Sequence, residues 1–343
     1  MPLAVNFPSW IKPEVIPGLW IRWYAVMYIL SFATAFLVYR RQVKERKFPI
    51  SQDDLSNLFF CGIMGLLIGA RIFSTVIYYP DRTYLLKPWL IFWPFENGQF
   101  TGLQGMSYHG GAIGCLLAVI IFSRIKKLNL REISDMFGAS IPLGFTFGRI
   151  GNFINAELYG RVTSAPWGMI FPDAKEYPVT ESWVQSIMEK TGMTTHGLLV
   201  NLPRHPSQLY EALFEGIVLW AIIWFLRNRK PFKGFLLGLY FAGYGFIRFI
   251  IEYFREPDSH LGYRIEFIKS TLPPAYSHPP FSFSTGQILC FLMIIFGIVW
   301  IFVCSKFPDR EVIRFYDEAD LKPTEKEVSA KKNKQRNLRK KLK

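Results

Sequence analysis

The chain has 343 residues, half of them hydrophobic and 17% aromatic, and a formal net charge of +14. Its apolar runs reach the roughly 20 helical residues that a hydrocarbon core takes, which excludes an ordinary soluble domain. The charge invites nucleic acid as a partner, but eight basic residues lie in the last thirteen, Lys331 to Lys343. Such a run reads more simply as an extension touching anionic lipid, since it specifies no groove or base.

Taken in chain order, the apolar runs predict an all-α polytopic membrane protein of about seven transmembrane helices. They cover approximately Trp20 to Val38, Leu55 to Tyr79, Tyr108 to Phe122, Asp135 to Gly148, Gln208 to Leu226, Gly234 to Tyr253 and Gly286 to Cys304. The fourth is short and contains Pro142. Basic residues follow spans one (Arg40, Arg41, Lys44, Arg46, Lys47), three (Arg124, Lys126, Lys127, Arg131) and five (Arg227, Arg229, Lys230, Lys233). These loops and the tail are therefore expected to be cytoplasmic, with the N-terminus and the loops after spans two, four and six outside.

The N-terminus lacks the pattern of a cleaved signal, so span one reads as a retained helix, with Trp10, Trp20 and Trp23 suited to the outer interface. The expected organisation is an outer segment over 1–19 and a seven-span membrane domain over 20–305. A small extracytoplasmic loop domain over about 150–207 interrupts the latter between spans four and five, and a basic cytoplasmic tail covers 306–343. Cys61, Cys115, Cys290 and Cys304 fall in apolar runs without CxxC spacing, and indicate neither a metal site nor a disulfide framework.

Gly65 and Gly69, Gly110 and Gly114, and Gly144 and Gly148 are each four apart, the interval of close helix contacts. Gly151 and Gly160 flank polar residues past the predicted helix end, where glycine permits a turn or close approach of backbone to a ligand. Counting about 1.5 Å per residue from each cytoplasmic edge puts Tyr24, Arg71, His109, Arg149 and Arg248 roughly 21 to 25 Å up, in the outer part of a core about 30 Å thick. An ionisable residue there costs several kcal/mol unless paired or hydrated, so its default reading is functional. Arg149 and Arg248 suit the phosphate of an anionic phospholipid. Arg248, Glu252 and Arg255 share one helical face, which fits either a positioned Arg248 or an ion pair that only neutralises it. His109, in Ser107-Tyr108-His109-Gly110-Gly111, can exchange a proton near neutrality or serve the structure of a helix end.

The run Gly148-Arg149-Ile150-Gly151-Asn152-Phe153-Ile154-Asn155-Ala156-Glu157-Leu158-Tyr159-Gly160-Arg161 closely resembles the signature of the bacterial prolipoprotein diacylglyceryl transferases. Also similar to that family are Trp23-Tyr24, His109-Gly110-Gly111, the stretch from Leu202 to Glu211, and Gly243-Tyr244-Gly245-Phe246-Ile247-Arg248 with Glu252 and Arg255. The resemblance runs from about Trp20 to Cys304 and leaves Lys87 to Gln104 and the tail unexplained.

It implies a multi-pass enzyme of the bacterial cytoplasmic (inner) membrane with its active site toward the outer leaflet. The activity implied is transfer of diacylglyceryl from phosphatidylglycerol to the lipobox cysteine of preprolipoproteins before signal-peptide cleavage. A thioether forms and glycerol phosphate is released, with no metal or cofactor required. The roles implied are His109 as candidate base, Tyr24 positioning lipid or relaying a proton, Arg248 with Glu252 at the reacting phosphate, and Arg149, Asn152, Glu157, Gly160, Arg71 and Arg255 binding phosphatidylglycerol. A phospholipid transporter or scramblase would also want intramembrane arginines, but it needs a through-going polar path, and the cytoplasmic halves of these spans are almost uniformly apolar.

Overall fold

The computed structural model describes residues 4–16, 18, 22–78, 83–96, 98–100, 105–256, 263–267, 272–279 and 281–307. Trp20, Tyr79, Gln104 and the basic tail beyond Phe307, all named above, lie outside them. Among the described residues, eleven α-helical segments occur: α1 (Trp23–Glu45), α2 (Gln52–Ile72), α3 (Thr83–Leu86), α4 (Tyr108–Ile125), α5 (Leu130–Gly138), α6 (Ile141–Ile154), α7 (Ser182–Thr191), α8 (Ser207–Tyr210), α9 (Leu219–Leu226), α10 (Phe235–Ile251) and α11 (Thr285–Lys306). Widened helical turns over Glu211–Val218 join α8 to α9, so that Ser207–Leu226 runs as one apolar helix. Among the described residues, five helices are long and apolar enough to cross a membrane: Trp23–Glu45, Gln52–Ile77, Tyr108–Ile125, Ser207–Leu226 and Thr285–Lys306; α10 is a shorter apolar one.

The chain divides into two units, Met1–Tyr39 with Asn129–Arg310, and Arg40–Leu128 with Glu311–Lys343. In the second, α2 lies against α4 through the paired glycines. A Cβ on Gly65 would fall 2.5 Å from Gly114 O, and one on Gly69 would strike Gly110 O, so the small-residue stripe is what admits the backbones to contact. Lys126 pairs with Asp54 at 2.7 Å beside the far end of this helix pair. Short strands β2 (Phe95–Glu96) and β3 (Gln99–Phe100) pair antiparallel in this unit.

In the first unit the predicted fourth span, Asp135 to Gly148, is not one helix. It breaks at Ala139 and Ser140, and Pro142 takes the first turn of α6, where its missing N–H costs nothing. Asp135 belongs to α5 and is fully buried: Oδ2 accepts from Lys230 Nζ and Gly234 N, both at 2.8 Å, and Oδ1 from Leu237 N at 3.0 Å. Lys230, counted above among the loop charges, also binds Glu132 at 2.7 Å and has a side chain only 2% exposed. Gly144 packs on the Ser31 carbonyl of α1, but Gly148 meets nothing within 4 Å, so the third glycine pair is not a packing pair.

The membrane helices carry an insertion with its own core: Val162, Tyr177, Trp183, Val184, Ile187, Val200 and Leu202, with Ala275 and Tyr276 packed against it from the segment after α10. Its strands are two to four residues long. β1 (Val5–Asn6) pairs parallel with β4 (Met169–Ile170), β5 (Tyr177–Pro178) antiparallel with β6 (Leu199–Val200), and β7 (Tyr263–Glu266) antiparallel with β8 (Ser282–Ser284).

Candidate active site

Three arginines converge on one carboxylate. Glu211 sits in the widened turns after α8 and is fully buried. Its Oε2 lies 2.8 Å from both Arg149 Nε, contributed by α6, and Arg248 Nη1, contributed by α10; its Oε1 accepts from Arg255 Nη1 at 3.2 Å. Glu215, one turn on and also fully buried, accepts from Arg248 Nη1 at 3.5 Å. Glu252, at the end of α10, faces Arg248 Nη2 at 3.4 Å and Arg255 Nε at 3.7 Å. Three positive and three negative groups thus form one cluster. The arginine side chains keep 13 to 17% of their surface exposed, whereas those of Glu211 and Glu215 keep 1% or less. Glu211 and Glu215 thus lie deeper than the arginines around them.

Taking such ions out of water costs several kcal/mol each, which their mutual attraction repays only with good geometry. The two closest contacts of Glu211 Oε2 are not aligned as hydrogen bonds. A cluster held at that cost inside a membrane helix set is better accounted for by chemistry than by stability.

The motif after Gly148 folds as the last turns of α6 rather than beyond the helix, and Gly151 packs inside it against Met27 and Tyr24 of α1. Tyr24 thereby lines the same helix face, with its hydroxyl 3.0 Å from that of Tyr28. Arg149 Nη1 donates to Asn152 Oδ1 at 3.5 Å, and Asn152 Nδ2 to Glu157 Oε1 at 2.9 Å. Ala156 and Leu158 on either side of Glu157 both have φ in the left-handed region, 53° and 55°. Non-glycine residues rarely adopt it, and here it folds the chain back so that Glu157 meets Asn152. Gln208 Nε2, donating to Glu157 O at 2.6 Å, pins that loop to α8.

Gly160 lies where backbone segments come close together. Its N–H donates to His205 O at 2.8 Å, and a Cβ would collide with Phe254 O and the His205 side chain. The close approach is to protein backbone, at a crossing of three chain segments. Arg204 locks that crossing: wholly buried, it binds Glu256 at 2.5 Å and Tyr177 Oη at 3.2 Å, with the Tyr159 ring 4.8 Å below its guanidinium. Trp167 Nε1 donates to Tyr210 Oη at 2.7 Å, which contacts His205 Nδ1 at 3.1 Å. Burial, reinforced by Arg161, pulls the His205 imidazole down to about 4, so this ring is neutral at pH 7.

Of the expected residues, Arg149, Asn152, Glu157, Arg248, Glu252, Arg255 and Tyr24 all fall in the first unit. His109 and Arg71 belong to the second. His109 is exposed on the first turn of α4, capped by Ser107, with the Tyr108 ring edge-on at 5.9 Å. Arg71 is buried and donates to the carbonyls of Ile91 and, at 3.3 Å, Gly105. Glu211 and Glu215 were absent from the expected site. They carried a readable signal: two carboxylates four apart in an otherwise apolar span are as costly as the arginines used to find it.

Apolar helices of membrane-spanning length, with a buried arginine–carboxylate cluster among them, define a polytopic membrane protein. Residues 14–303 match the family model described as prolipoprotein diacylglyceryl transferase. The chain belongs to that family and is a membrane-embedded transferase. It is 50% identical over 314 residues to the phosphatidylglycerol–prolipoprotein diacylglyceryl transferase of Treponema denticola (86% of this chain, 93% of that protein). The proteins of the same name in Treponema pallidum and Chlorobaculum tepidum are 48% identical (91% and 98% covered) and 40% identical (86% and 91% covered).

Proposed function

We propose that the chain takes diacylglyceryl from phosphatidylglycerol and attaches it to the lipobox cysteine of preprolipoprotein signal peptides, the first step of lipoprotein maturation. The observation that carries the site assignment is the junction of Arg149, Arg248 and Arg255 on Glu211. The cysteine sulfur attacks the glycerol carbon that bears the phosphate. The carbon–oxygen bond breaks, its electron pair leaves with glycerol phosphate, and a thioether remains. A thiol of ordinary pKa near 8.5 is a weak nucleophile until deprotonated, and His109 is the candidate acceptor of its proton. Arg149 and Arg248 neutralise the charge growing on the leaving phosphate; Glu211, Glu215 and Glu252 hold them in place beforehand, so little reorganisation is needed as that charge develops. Asn152 supplies a neutral donor, Glu157 orients Asn152, and Tyr24 positions the lipid. Arg71, Arg255 and Gly160 complete the residues assigned to phosphatidylglycerol binding.

The same reading takes α1, α2, α4, α6, Ser207–Leu226, α10 and α11 as seven membrane segments of the bacterial inner membrane, with the N-terminus and the active site outside and the C-terminus cytoplasmic. The insertion over about 150–207 forms an extracytoplasmic domain and residues 306–343 a cytoplasmic tail.

The test is transfer of labelled diacylglyceryl from phosphatidylglycerol to a synthetic lipobox peptide in detergent. Thioether product is expected to vanish with Arg149→Ala and with a peptide whose cysteine is serine. His109→Gln is expected to retain lipid binding and lose roughly 100-fold or more in rate. Undiminished turnover by Arg149→Ala removes that arginine from the site, and lost lipid binding in His109→Gln makes His109 a headgroup or structural residue. A folded wild-type protein that binds phosphatidylglycerol and yields no product overturns the transferase reading.

A further inference from the structure

Glu252 occupies an unfavourable place on its own helix. It caps the C-terminal end of α10, where unpaired carbonyls carry partial negative charge and a carboxylate is repelled. The compensation comes from α11. Ser284, the N-cap of α11, donates its hydroxyl proton to Glu252 Oε1 at 3.1 Å, and both residues are buried. The same hydroxyl accepts from Gln287 N at 3.1 Å, while Gln287 Oε1 accepts from Ser284 N at 3.0 Å and meets His278 Nε2 at 3.3 Å. With its one proton on Glu252 and a lone pair on Gln287 N–H, the Ser284 hydroxyl has a fixed direction. Gly286 sits so close that a Cβ would lie 2.8 Å from Glu252 Oε1. The carboxylate therefore rests on the positive end of a 22-residue helix by one oxygen and turns the other to Arg248 and Arg255.

We propose that Ser284 is a positioning residue for the transfer reaction: the start of α11 holds Glu252 in its orientation, and through it sets Arg248 and Arg255. A helix cap alone would not need this hydroxyl proton, because aspartate caps as well as serine. The inference rests on the role given to Glu252 above, so its test separates the two.

Ser284→Asp keeps a capping oxygen for Gln287 N–H but removes the donor to Glu252 and places a second negative charge beside it. Its kcat for diacylglyceryl transfer, normalised to folded protein in detergent, is expected down about 100-fold. Ser284→Gly, a cap only slightly weaker than serine, is expected to lose about 10-fold. In a Glu252→Gln background, itself strongly impaired, Ser284→Asp is expected to add no further loss, since the repulsion has no partner. An inactive Glu252→Gln beside a fully active Ser284→Asp overturns the inference alone, as do losses that multiply in the double variant. A fully active Glu252→Gln removes Glu252 from the site and this inference with it.

Discussion

The two ends of α10 each hold a buried ionic cluster, and the clusters are built differently. At its start, Lys230 binds Glu132 and Asp135, and Asp135 also receives the N–H groups of Gly234 and Leu237. Asp135 is thus held by three donors, one lysine and two backbone N–H groups, and all three charged side chains are 5% exposed or less. At its end, Arg149, Arg248 and Arg255 stay partly open, and oxygens of Glu211, Glu215 and Glu252 lack an aligned hydrogen bond. From Gly234 to Glu252 the helix rises about 27 Å, close to the thickness of a hydrocarbon core. A closed cluster joins helices; an open one retains donors for a ligand.

The comparison can be broken at either end. The largest effect is expected from Glu211→Gln, which removes the charge shared by three arginines. Diacylglyceryl transfer should fall by roughly 100-fold or more, because displacement of catalytic groups by about 1 Å already costs that much. Near-normal turnover would show that the arginines do not depend on their common carboxylate. Next, Asp135→Asn should act on the fold, costing about 3 kcal/mol as Lys230 and the start of α10 lose their charged partner, while kcat per folded molecule is retained. A thermal melt beside active-site-normalised rates checks it, and a fall in kcat without a fall in stability would merge the two clusters into one functional set. The smallest effect concerns His205 beside the Gly160 crossing. An unfolded imidazole protonates near 6.5 and the folded one only near 4, so the unfolded state binds more protons between those values. Stability should therefore decline as pH falls through that window, and His205→Gln should flatten the decline measured by thermal midpoint.

Much of the site was legible because ionisable residues stand out against apolar runs. Arg149 and Arg248 were visible in this way, and the spacing of Arg248, Glu252 and Arg255 placed them on one face. Glu211 carried the same signal but lay in a stretch read as a motif match, and its service to arginines from two remote segments has no expression in local spacing. The fourth span shows the converse. Hydropathy joined Asp135 to Gly148, yet Asp135 is held by donors about a hundred residues away in sequence, and the helix restarts where Pro142 fits.

The glycine pairs divide in the same manner. Four-residue spacing correctly marked Gly65, Gly69, Gly110 and Gly114 as a packing stripe, since each lies on a helix face that needs a close neighbour. It also marked Gly148, which has none, and it could not say that Gly160 serves a crossing of backbones.

By itself the sequence determined the solvent, the five longest apolar helices and the family, because hydrophobic length and a contiguous motif are properties of neighbouring residues. Only the tertiary structure decided which charges are satisfied and which stay open, because pairing energies of buried ions depend on distances between helices that the chain brings together from remote positions.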